Sequence, residues 1–95
     1  MIIVNQERDQ IFNFDNVETL YIYQQYILQD DEKEIFIKCI ATDGLDVDLG
    51  TYKTKERAYE VIQEIIKSYR DYRTAECDGY TNVLQKTAVF EMPED

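Results

Sequence analysis

The chain has 95 residues and a formal net charge of −10, with 20 acidic and 10 basic side chains, no histidine and two cysteines. That length suits one domain, residues 1–95, with no room for a second core. The acidic balance argues against a general nucleic-acid binder, the missing histidine removes the commonest general base and metal ligand, and two cysteines are too few for a disulfide framework.

Residues 2–4 (IIV) are a short β-branched run. NQERD at 5–9 is a polar connector, and QIFNF at 10–14 reads as a second strand. Asp15 and Asn16 form a turn before the β-rich run VETLYIYQQYIL at 17–28. QDDEKE at 29–34 is a charged loop, and EIFIKCIAT at 34–42 is again strand-like, with Cys39 as a core thiol. Asp43 and Gly44 sit between two strand patterns, which predicts a type I′ hairpin turn with φ > 0 at both positions. After it, Leu45, Val47 and Leu49 alternate with Asp46, Asp48 and Gly50. Period two places the three apolar residues inward and the carboxylates outward.

Thr54 is placed to cap a helix over about residues 54–73. Ala58, Val61, Ile62, Ile65, Ile66, Tyr69 and Tyr72 recur at spacings of three and four, the stripe of an amphipathic helix. CDGYTN at 77–82 reads as a loop and VLQKTAVFEM at 83–92 as a last strand stopped by Pro93. Strands, one long helix, then a strand predict an α+β fold: one antiparallel sheet of five to six strands with the helix across one face. Tyr21, Tyr23 and Tyr26 with Phe36 and Ile40 would make the other face apolar enough to bury against a second subunit.

Catalytic chemistry has little to stand on. Ser68 is the sole serine and falls mid-helix, and Gly44, Gly50 and Gly79 are too scattered for a phosphate loop. No structural zinc site, cofactor motif, signal peptide or membrane-length apolar run is present, so a non-enzymatic cytoplasmic protein is expected. Asp46 and Asp48 share one strand face, and Asp30 and Asp31 lie in the charged loop. Their simplest role is solubility, and the sharper one is contact with a basic partner.

The basic residues concentrate in one place. Lys53, Lys55, Arg57, Lys67, Arg70 and Arg73 face four acids between residues 53 and 73, so that stretch nets +2 and the remainder −12. Cations in the last helical turns complement the helix dipole. Arg57, in the first turn, opposes it and points weakly to a function. Guanidinium groups suit phosphate and an aromatic ring can stack on a base, so Arg57, Arg70, Arg73 and Tyr72 are the candidate ligand-binding residues.

MIIVNQERDQIFNFDN, LGTYKTKERAYEVIQEI and VFEMPED resemble a group of small proteins from phages and prophages of Firmicutes, with NFDN and EMPED the most specific pieces. The likeness covers most of the chain, with residues 74–84 the least matched. The architecture is also similar to the phage anti-Thoeris proteins, which sequester a cyclic ADP-ribose-type signal as oligomers without acting on it. The resemblance implies a cytosolic homo-oligomer that binds a small nucleotide in an infected bacterium. An alternative from another class is an acidic inhibitor whose Asp30, Asp31, Asp46 and Asp48 occupy a basic groove on a host defence protein.

Overall fold

The computed structural model describes residues 1–26, 33–78 and 88–95. Its elements are β1 (Ile2–Val4), β2 (Ile11–Asn13), a 3-10 turn (Phe14–Asn16), β3 (Val17–Tyr26), β4 (Lys33–Ala41), β5 (Asp46–Tyr52), α1 (Lys55–Asp78) and β6 (Val89–Glu91). Among the described residues the class is α+β with one α-helix, as expected, but the strands form two three-stranded sheets rather than one. One is antiparallel, in the order β3-β4-β5. The other has the order β2-β1-β6, with β1 antiparallel to β2 and parallel to β6.

The reason for the division lies in β1. Both of its edges are taken, by β2 and β6, so it cannot also pair with β5. Gln6 makes the join instead. Its backbone N–H donates to Leu49 O at 2.8 Å. Its side-chain amide accepts from Thr51 N (2.8 Å) and donates to Thr51 O (2.9 Å), in the manner of a neighbouring strand. The same amide nitrogen also reaches Glu94 O (2.7 Å) and Pro93 O (3.2 Å). Gln6→Glu would face those carbonyls with a carboxylate that has nothing to donate. We therefore expect it to cost more stability than Gln6→Ala, about 2–3 against about 1–2 kcal/mol in urea melts.

The polar connector between β1 and β2 is a built loop. Buried Asn5 accepts from the N–H groups of Asp9 and Gln10 (3.1 and 3.0 Å) and donates to the Asp9 carboxylate (2.7 Å). Arg8 takes a left-handed φ of 62°, and its guanidinium donates to Met92 O at 2.9 Å.

The Asp43-Gly44 turn differs from the type I′ expectation. Gly44 alone has positive φ there (87°). Gly44 N–H donates to Ala41 O and Ala41 N–H to Leu45 O, both at 2.9 Å. That is a three-residue loop with glycine in the left-handed position. Asp43 stabilises it by accepting from Leu45 N at 3.0 Å. Leu45 belongs to this loop end and is 63% exposed, not inward as its spacing predicts.

Thr54 caps α1 by accepting from Arg57 N at 3.0 Å. The helix runs five residues past the expected end at 73 and includes Cys77 and Asp78. No breaker interrupts Thr74–Asp78, and Ala75, three residues after Tyr72, extends the buried stripe. The rest of the expected 77–82 loop, and residues 83–87 of the expected last strand, lie outside the described residues.

Ala58, Val61 and Ile65 of α1 pack over Ile35, Ile37 and Cys39 of β4 and Leu49 and Tyr52 of β5, and Ile3 of the second sheet joins the same cluster with Met1 and Met92, which flank its strands. The Tyr52 hydroxyl donates to Pro93 O at 2.8 Å. Burial pushes its pKa from 10.0 up to about 12, with Arg57 acting in the opposite sense. The folded state thus holds a proton that the unfolded chain releases. This stabilisation is complete below pH 10 and is lost as pH rises toward about 12. Denaturant melts through that window should show a loss of about 2–3 kcal/mol attributable to this group. Tyr52→Phe should flatten the dependence.

Candidate functional site

The outer face of the β3-β4-β5 sheet is not the apolar surface expected. Lys38 sits at its centre, 4.9 Å from the Tyr23 ring centroid and 5.6 Å from that of Phe36, and bridges Asp48 at 3.1 Å. The hydrogen bond to Asp48 holds the Lys38 pKa above its ordinary value. The Tyr21 hydroxyl donates to both carboxylate oxygens of Asp46, each 2.9 Å away, and that bond raises the tyrosine's pKa. Tyr26 pairs with Lys33 at the strand end. Asp46 and Asp48 are thus exposed, as expected, but each already has a partner. Asp30 and Asp31 lie outside the described residues.

Arg57 is explained by its own helix. Its Nη1 lies 3.2 Å from Glu60 Oε2 and 3.7 Å from Glu64 Oε1, and its Nε donates to Asp95 O at 3.1 Å. The hollow beside it, about 430 Å³, is lined also by Glu34, Glu94 and Asp95, which oppose an anion. Arg70 and Arg73 stand about 20 Å further along the helix. They share no site with Arg57.

Those two arginines do come together. They rim a groove of about 600 Å³ between α1 and β3. Ile62, Ile66 and Tyr69 form the helix wall. Phe14, Val17 and Leu20 form the wall opposite, with Glu18 and Thr74 at the margins. The local chemistry of each wall explains its place. Asn13 caps the 3-10 turn by accepting from Asp15 N at 3.0 Å, and Phe14 N–H donates to Met1 O at 3.0 Å, which fixes the Phe14 backbone. The Phe14 ring then meets Tyr69 edge-on, centroids 4.9 Å apart and planes at 64°. The register of β3 shifts between Val17 and Thr19, so Val17 and Leu20 both line the groove despite their odd spacing.

Tyr72, the ring singled out in the sequence, is half-buried and packs against the core instead. Tyr69 is the ring that lines the groove. The spacing of the helix stripe does not separate the two. The wall formed by Phe14, Val17 and Leu20 has only a faint sequence signal, the capping Asn13 directly before Phe14.

The buried Cys39 thiol has its pKa raised by burial first and by Asp46 second, which keeps it protonated and unreactive. Among the described residues no three Cys, Asp or Glu side chains converge as a metal site, and no helix is long and apolar enough to cross a membrane. No protein-family model matches the chain, and no curated protein or solved structure is significantly similar to it.

Proposed function

We propose that the protein is a non-enzymatic binder that sequesters an anionic nucleotide second messenger, of the cyclic ADP-ribose or cyclic oligonucleotide class, in the groove between α1 and β3. The supporting observation is the pairing of an apolar, aromatic-walled groove with two guanidinium groups on one rim. Its volume falls within the range of small-molecule sites. Arg70 and Arg73 would hold phosphate, and Phe14 and Tyr69 would offer ring surface to a base. The setting in an infected bacterium rests on the resemblance carried by NFDN and EMPED, and the anti-defence role on the likeness of expected architecture to the anti-Thoeris proteins.

The rival reading, an acidic inhibitor of a host defence protein, draws less support. Asp46 and Asp48 are engaged by Tyr21 and Lys38 and are poorly placed to meet a basic groove. The direct test incubates the purified protein with extract from cells whose nucleotide-based defence is active, then denatures it and identifies released nucleotides by mass spectrometry. One nucleotide released intact and in stoichiometric amount supports the sponge reading. An empty protein that also fails to bind a panel of cyclic nucleotides and ADP-ribose derivatives overturns it.

A further inference from the structure

The apolar surface of α1 is wider than the sheet beneath it. Ala58, Val61 and Ile65 are fully buried, but Tyr59 is 59% and Ile66 41% exposed. With the half-buried Ile62 and Tyr69, these make a second stripe, 59-62-66-69, at alternating steps of three and four. That is the spacing of a seam between two helices. Position 56 flanks the seam on its solvent side, and so do 63 and 70: Glu56, Gln63 and Arg70. All three are exposed, and no ion pair engages Glu56 or Arg70 among the described residues.

We infer that this stripe is an interface with a second copy of the chain, the two α1 helices lying antiparallel. A two-fold axis near residue 64 sets Ile62 against Ile66 of the second copy and Tyr59 against its Tyr69. The same axis sets Glu56 against Arg70 of the second copy, Arg70 against its Glu56, and Gln63 against its own counterpart. A parallel pair would instead set the two 56-63-70 flanks on opposite sides of the seam, where Glu56 and Arg70 could not meet. The charges therefore select both the occupant, an identical helix, and its direction. A chain this short gains from such burial, because its own core is limited.

The inference stands on the stripe and its flanking charges and needs no ligand. It also adds a link to the groove. Ile62, Ile66, Tyr69 and Arg70 serve both surfaces, so a second copy and a groove ligand compete, and each lowers the apparent affinity of the other.

Sedimentation equilibrium on the ligand-free protein tests the interface, with charge exchange as the control for folding. The wild type should dimerise. Arg70→Glu and Glu56→Arg should each weaken the dimer about tenfold or more. An equimolar mixture of the two variants should recover wild-type affinity as a heterodimer, in which every opposed pair is again of opposite sign. A monomeric wild type at every concentration overturns the proposal. So does a dimer indifferent to both substitutions, or a mixture no tighter than the variants alone. Ligand binding is measured separately, so its failure leaves this result intact.

Discussion

Reversing both groove arginines, Arg70→Glu with Arg73→Glu, is expected to abolish nucleotide binding while Arg57→Glu leaves it nearly unchanged. Each charge-assisted contact to phosphate is worth about 1.5–3 kcal/mol, so losing two should weaken affinity by at least about 100-fold. Replacing them with carboxylates adds repulsion in a chain already at −10. Self-association cannot imitate this result. The Arg70 reversal also weakens the helix pairing, which by linkage would raise ligand affinity, so a fall reports the lost charge. Arg57→Glu is the control. It breaks exposed pairs with Glu60 and Glu64, worth about 0.2–1 kcal/mol, and places a carboxylate in the first helical turn, where the dipole favours it. Isothermal titration with the nucleotide recovered from the protein reads both effects. Equal losses in the two variants would move the site to the Arg57 end of the helix, and unchanged affinity in the double variant would remove the groove from consideration.

The helix was legible from residues alone because its information is local. Thr54, the three-four spacing and the charged outer face each act within a turn or two, and the cap and the stripe lie where those rules put them except at Ile66, which is exposed. The sheets were less legible. Whether β1 joins β5 depends on which neighbours claim its two edges, and β6 is some 85 residues away in sequence. Gln6 carries no strand signal, yet its side chain stands in for one. The groove was half legible. Arg70 and Arg73 follow from charge clustering, whereas the opposite wall depends on a 3-10 turn and a register shift that have no clear pattern in composition. Arg57 misled for a physical reason: a cation against the dipole is costly only if nothing answers it, and Glu60 and Glu64 do.

Gly50 is closely packed where the two sheets meet. Period two places it outward, in step with Asp46 and Asp48, but the pairing of β4 with β5 shifts between Ile37 and Lys38. The shift leaves Leu49 unopposed and turns Gly50, paired with Ile37, into the buried side. A Cβ there would lie 3.1 Å from two atoms of the Tyr52 side chain and 3.3 Å from the Gln6 Cβ. Tyr52 cannot swing away cheaply, because it is buried and its hydroxyl is held by Pro93 O. Gly50→Ala should therefore cost about 1 kcal/mol and Gly50→Val about 2–3 kcal/mol, the usual range for overpacking. The larger side chain displaces both groups that join the sheets, so its effect should be non-additive with Gln6→Ala, since each breaks the same contact. Urea melts of the single and double variants measure this directly. Simple additivity would mean that the Gln6 bridge and the Tyr52–Pro93 contact are independent, and that β5 is held to the second sheet at two separate points.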